Sequence, residues 1–186
     1  YLGRIVEYPW LFSRLPAESG KLLDAGSVLN VDYILAHPSL RAKRIFITTL
    51  APEERHQVTR PNVSHVYQDL RETCFRKEYF DWVVCLSTLE HIGLDNTRFY
   101  TRDTSKEENA PEAFLGVVDE LRRVLKPGGV LYVSVPFGRY SNHGWLQVFD
   151  AAMVDALLER FAPTSFVERH FRYERDGWRI SSREGS

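Results

Sequence analysis

Phe80 to His91 reads FDWVVCLSTLEH, and Leu121 to Pro136 reads LRRVLKPGGVLYVSVP. Each stretch holds a short, β-branched apolar run, Trp82 to Leu86 and Val130 to Val135, of the composition that fills a strand buried on both faces. Between them, Phe114, Val117, Val118, Leu121, Val124 and Leu125 recur at helical spacing from Pro111 to Lys126, with Pro111 suited to the first turn. Lys126-Pro127-Gly128-Gly129 predicts a helix stop and a reversal into the next strand. The order is strand, loop, helix, strand. Such a unit makes adjacent parallel strands joined by a right-handed crossover, and ligands of open α/β sheets bind at the carboxyl ends of those strands.

Outward from this unit the alternation continues. Lys21 to Ala25, Arg44 to Thr49 and His65 to Gln68 read as strands, and Val28 to Ala36 as a helix stopped near His37-Pro38. Met153 to Phe161 is an amphipathic helix. Asp176-Gly177 marks a hairpin between Ser165 to Glu174 and Trp178 to Ser182, so residues 164–186 close the chain as antiparallel strands. Glu7 to Leu15 is aromatic and apolar, and residues 1–20 are expected to form a helical cap across the sheet or over the cleft at its rim. Without an internal repeat or low-complexity linker, one domain over residues 1–186 is the simplest organisation.

A chain of 186 residues buries roughly 70% of its unfolded surface, enough for its own core. Its 24 Lys and Arg balance 25 Asp and Glu, so no overall field draws it to nucleic acid or anionic membrane. Arg41, Lys43 and Arg44 are too few, and too poor in interleaved aromatics, to mark a nucleic-acid surface. The apolar runs fall short of the ~20 residues that span a bilayer, and no charged-then-apolar leader opens the sequence. Cys74 and Cys85 lack metal-ligand spacing, which leaves no expected metal site and makes a reducing cytoplasm the default compartment.

A hydrophobic strand followed by Leu89-Glu90-His91, then a helix ending in LKPGG and another strand, resembles the second half of a class I S-adenosylmethionine-dependent methyltransferase of the small-molecule branch. The resemblance covers roughly Lys21 to Val135. It implies a Rossmann-like, doubly wound α/β fold with helices on both faces of a seven-stranded sheet ordered 3-2-1-4-5-7-6, its last inserted strand antiparallel. It also implies S-adenosylmethionine as cofactor. Carried onto KLLDAGSVLN (Lys21 to Asn30), it puts Asp24 at the family's acidic position and Gly26 at its first glycine, with Ser27 beside it. Val28 and Asn30 stand where further glycines are usual, and Thr49 where a carboxylate usually receives the ribose hydroxyls. Glu53 or Glu54 could substitute for that carboxylate. HVYQDLRETCF places Asp69 at the adenine amino group and Leu70 beside the ring, and Ser87 borders the amino acid end of the cofactor.

Glu90 and His91 follow strand four directly and therefore stand on the rim. If the methyl acceptor is a hydroxyl, a base must take its proton, and a histidine with pKa near ~6.5 suits that task. His91 is the first candidate base, Glu90 its titratable neighbour and His143 the reserve. Residues 93–110 are polar and without apolar periodicity, the pattern of an unstructured lid, from which Asp95, Tyr100 and Arg102 are candidate acceptor contacts; Glu107 and Glu108 read as solvated. Tyr140 and Trp145, after strand five, add aromatic platforms suited to a sugar-like or other small polar acceptor. The expected reaction is methyl transfer to oxygen. Two readings from other classes are a catalytically inactive interaction domain on the same fold and a nicotinamide oxidoreductase; the second lacks GxGxxG after strand one and an acidic end to strand two.

Overall fold

β1 (Gly20–Ala25), β2 (Lys43–Thr49), β3 (Val63–Tyr67), β4 (Phe80–Leu86) and β5 (Leu125–Ser134) lie parallel in one sheet ordered β3-β2-β1-β4-β5. The structure is a computed structural model and describes residues 3–52, 60–101 and 103–183; Glu53, Glu54 and Arg102 lie outside them. Strand periodicity of two explains the layering. Leu23, Ala25, Phe46, Val83 and Cys85 point to one face, where they pack on Phe114, Val117, Val118, Leu121 and Val124. Leu22, Ile45, Ile47, Trp82, Val84 and Leu86 point to the other, where Leu11, Leu29, Ile34, Leu35 and Leu40 meet them. The sheet is therefore covered on both sides, as its continuous apolar strands required.

The helices are α1 (Arg4–Phe12), α2 (Asp32–Leu35), α3 (Pro38–Arg41), α4 (Thr97–Tyr100), α5 (Phe114–Val124) and α6 (Ala151–Phe161); α4 lies in the lid segment and buries no residue. α5 is the crossover between β4 and β5, entered through a 3₁₀ turn at Pro111–Ala113. α2 is a single turn where a helix from Val28 to Ala36 was expected. Its start is pre-empted: the Asp24 carboxylate accepts from the N–H groups of Val28 at 3.0 Å and Leu29 at 2.8 Å, and Val31 is extended.

The expected reversal at Lys126 to Gly129 is instead an irregularity inside β5. Leu125 already pairs with Phe80, and the ladder resumes with Trp82 opposite Val130, so the intervening residues bulge outward around Gly128, whose φ is +76°.

Among the described residues the main sheet has five strands, which corrects the expectation of seven in the order 3-2-1-4-5-7-6. Two short hairpins, β6 (Ser141–Asn142) with β7 (Gln147–Val148) and β8 (His170–Glu174) with β9 (Gly177–Ser181), form separate antiparallel pairs. The β8–β9 hairpin is held by side chains in place of a ladder to β5. His170 packs edge-on against Phe137, and Arg183 beyond it donates to Asp155 and the Ala151 carbonyl on α6. No helix among the described residues is long and apolar enough to cross a membrane.

Candidate active site

β1 delivers its chain into a turn that works without the usual run of glycines. Gly26 has φ +115°, and its N–H donates to the Thr48 carbonyl at 2.9 Å. A Cβ there would run into the Thr88 side chain, so the turn after β1 touches the end of β4 directly. Ser27 adopts a left-handed φ of 61°, an unusual conformation for a residue with a side chain. The following residues are pinned by polar partners. The buried Asp24 carboxylate takes the two N–H groups described above, the Tyr8 hydroxyl donates to the Val28 carbonyl at 2.6 Å, and Asn30 meets His65 at 3.3 Å.

The carboxyl ends of the strands enclose a cavity of about 880 Å³. Five of the residues expected at the cofactor, Gly26, Thr49, Asp69, Leu70 and Ser87, line it together. Asp24 and Ser27 do not; they shape the turn behind Gly26. Thr49 ends β2 as a buried residue beside Leu50.

Asp69 and Arg71 form a close pair at the mouth. The Arg71 backbone N–H donates to Oδ1 at 2.8 Å, Nε reaches both carboxylate oxygens, and Nη2 donates to Oδ2 at 2.6 Å. Burial raises the Asp69 carboxyl, but these hydrogen bonds outweigh it and hold the group below the usual carboxylate range. Arg71 also grips the Glu108 carboxylate across the cavity, at 2.7 and 2.8 Å. Glu108 is therefore paired, with its side chain still 37% exposed. The lid segment carries local structure too: α4 and a 3₁₀ turn at Thr104–Lys106 interrupt what its composition suggested was an unstructured loop.

At the other end, Leu89–His91 forms a 3₁₀ turn directly after β4. His91 lines the cavity, stacked on the Trp145 indole with ring centroids 5.3 Å apart. Its Nδ1 lies 2.9 Å from the Trp145 carbonyl oxygen, which can only accept; the proton therefore sits on Nδ1, and Nε2 keeps its lone pair. Burial lowers the His91 pKa, so the ring is neutral at physiological pH. Glu90 is fully buried and faces the interior; burial, with the Glu90 and Asp24 charges behind it, pushes the Cys85 thiol up.

Of the acceptor candidates, Tyr100 lines the cavity. Trp145 stands behind His91 and under the Arg98 guanidinium, 4.9 Å from its ring centroid. Asp95 accepts from the Thr97 N–H and hydroxyl and so begins α4. Tyr140 and His143 are exposed beyond the cavity, with His143 beside the Ser141 hydroxyl at 3.0 Å. Sequence reasoning missed Glu7, a buried carboxylate that meets Ser87, and the Arg71–Glu108 pair. Glu7 could have been found from its place on the inward stripe of α1, one turn before Leu11.

The donor set suits an adenosyl sulfonium: Gly26, without a side chain, at one end, a hydroxyl and a carboxylate flanked by Leu50 and Leu70 at the other. A family model described as "Methyltransferase domain" matches residues 25–133, more than half of the chain. No curated protein matches it. Solved structures similar to it include a putative methyltransferase complexed with the Trm112 activator of Haloferax volcanii (18% identity, TM-score 0.59, covering 89% of this chain and 69% of the other). Another is a putative sarcosine dimethylglycine methyltransferase of Galdieria sulphuraria (16%, 0.64, 89% and 63%). A third is the 1,6-didemethyltoxoflavin-N1-methyltransferase of Burkholderia thailandensis with bound S-adenosylhomocysteine (19%, 0.59, 89% and 68%). The chain thus spans about two thirds of each of these proteins. With the matched segment running from the end of β1 into β5, the chain belongs to the class I S-adenosylmethionine-dependent methyltransferases, and S-adenosylmethionine is its cofactor.

Proposed function

We propose that this chain transfers a methyl group to the oxygen of a small polar or sugar-like acceptor, with Gly26, Ser87, Thr49, Asp69 and Leu70 holding the cofactor and His91 receiving the acceptor's proton. The observation that carries the reading is that these residues, drawn from the ends of four strands, line the same cavity as His91. The cofactor, when bound, supplies an electrophilic methyl group. The protein's part is to align the acceptor with it and to exclude water. Gly26 leaves room at the turn, and Leu50 and Leu70 offer apolar surface for a planar base. With Nδ1 committed to the Trp145 carbonyl, Nε2 of His91 is the nitrogen that takes a hydroxyl proton. Asn96, Thr97, Tyr100 and Ser105 give the lid side of the cavity hydrogen-bonding groups, which supports a hydroxylated acceptor.

A second reading, an interaction domain without catalysis, draws on the commitment of both Asp69 oxygens to Arg71 and on the side chains at positions 28 and 30. Calorimetric titration with S-adenosylhomocysteine separates the two: heat of binding supports the enzyme, and none supports the interaction domain. Asp69→Ala is expected to weaken that binding by about 1–3 kcal/mol, the loss when a buried donor goes unpaired. Arg71→Ala, which releases the Asp69 carboxylate, should bind at least as tightly as the unaltered protein. Weaker binding in Arg71→Ala would move the contact from Asp69 to Arg71.

A further inference from the structure

Two successive residues of α1 reach two separate walls of the rim cavity from behind. Glu7 Oε1 accepts from the Ser87 hydroxyl at 2.5 Å and from the Ser134 hydroxyl at 2.6 Å, joining the ends of β4 and β5. Its other oxygen accepts from Arg4 at 2.5 Å, so the buried carboxylate is satisfied on both sides. Tyr8 donates to the Val28 carbonyl at 2.6 Å and so fixes the turn after β1. Neither Glu7 nor Tyr8 lines the cavity. Both act on residues that form or back its wall.

Each of these walls needs an external hold. Ser87 has φ +44°, a conformation strained for a residue with a Cβ and one that persists only where its surroundings impose it. Its N–H donates to the Ser134 carbonyl at 3.0 Å and to the Ser134 hydroxyl at 3.1 Å, and Glu7 closes the loop by accepting from both hydroxyls. The turn after β1 has Ser27 at φ +61° and carries Val28 and Asn30, so its shape depends on side-chain partners. α1 itself is fixed by Leu11, fully buried in the core, and by Trp10 packed edge-on against Tyr132 of β5. α1 therefore links the turn after β1 to the ends of β4 and β5, which border the slot at Gly26, Ser87 and Thr88.

We propose that Glu7 and Tyr8 are positioning residues for the cofactor, holding Ser87 and the Val28 turn at the spacing that the methionyl end requires. The proposal rests on the reading of the rim cavity as the cofactor site. Glu7→Ala leaves two half-buried hydroxyls without this acceptor and lets Ser87 relax; Tyr8→Phe frees the Val28 carbonyl.

The test is calorimetric titration of each variant with S-adenosylhomocysteine, alongside thermal unfolding of the unliganded proteins. Both variants are expected to lose affinity about tenfold or more. Glu7→Gln combined with Arg4→Ala, which keeps an acceptor oxygen for both hydroxyls without setting an amide N–H against the guanidinium, should recover most of it, a rescue that simple loosening of the helix would not predict. Adding Ser134→Ala to Glu7→Ala should cost little more, because both act on one wall. Affinity within about twofold of the unaltered protein in either folded variant overturns the proposal, as does a Gln variant no better than Ala. If Glu7→Ala fails to fold, Tyr8→Phe, which deletes a single hydroxyl, decides the matter by the same criterion. Should the unaltered protein bind no S-adenosylhomocysteine, the cofactor reading and this proposal fall together; binding by the unaltered protein with undiminished binding by the variants removes this proposal alone.

Discussion

His91→Ala should slow turnover by roughly 10²-fold or more while leaving S-adenosylhomocysteine affinity within about twofold. The expectation follows from the ring's two nitrogens having separate duties. Nδ1 donates to the Trp145 carbonyl, which fixes the tautomer and leaves Nε2 basic. Burial adds to this by disfavouring the charged ring, so the His91 pKa lies below its ordinary value of 6.5. A base works in its neutral form. kcat/KM should therefore stay level through neutral pH and fall only on acidification below 6.5, where the ring takes up a proton. The acid limb should vanish in His91→Ala. Equal losses of turnover and cofactor affinity would instead make His91 a binding residue, and an acid limb unchanged in the variant would give the titration to another group. Trp145→Ala keeps the backbone carbonyl and removes only the stacked indole, so its effect should be smaller than that of His91→Ala.

The unit from β4 to β5 was legible because burial on both faces leaves a plain mark. Trp82 to Leu86 must face two apolar layers at once, and both the sheet pairing and the opposing clusters agree with that. The resemblance put Gly26, Thr49, Asp69, Leu70 and Ser87 at the cofactor and strand direction put His91 on the rim, and all six line one cavity because each sits at or just past a carboxyl end. What escaped depended on which partner a polar side chain takes. Glu7 meets Ser134 across 127 positions; the inward stripe of α1 announces its burial but not its partner. Asp24 has the residue type of a ligand contact but spends its oxygens on the N–H groups of Val28 and Leu29, a choice visible only in three dimensions. The five-stranded sheet differs from the expected seven because hairpin signals such as Asp176-Gly177 specify a turn and its register, not the sheet edge on which the hairpin docks. Lys126 to Gly129 carries the same lesson: glycines permit a positive φ, and whether that makes a reversal or a bulge is decided by Leu125 pairing with Phe80.

Gly26→Ala should lower folding stability by about 2–4 kcal/mol, combining backbone strain with overpacking, and cut S-adenosylhomocysteine affinity at least tenfold, as about 1.4 kcal/mol of lost contact would. Two costs act together at this position. The φ of +115° is open to glycine and strained for alanine, and the new methyl would meet Oγ1, Cγ2 and Cβ of Thr88. Neither partner can yield cheaply. The Gly26 N–H is tied to the Thr48 carbonyl, and the Thr88 hydroxyl donates to the Leu86 carbonyl at 3.0 Å. Relief of the clash must then move the turn toward the cavity, narrowing the space in which the methionyl arm lies. A paired substitution separates the two terms. Gly26→Ala combined with Thr88→Gly removes every colliding atom that Thr88 contributes but keeps the strained φ, so stability should recover in part and affinity should rise above that of the single variant. Urea unfolding and calorimetric titration read the two quantities independently. Cofactor affinity in Gly26→Ala equal to that of the unaltered protein would show that the turn after β1 lies away from the bound ligand, and the cavity would have to be reassigned as an acceptor site alone.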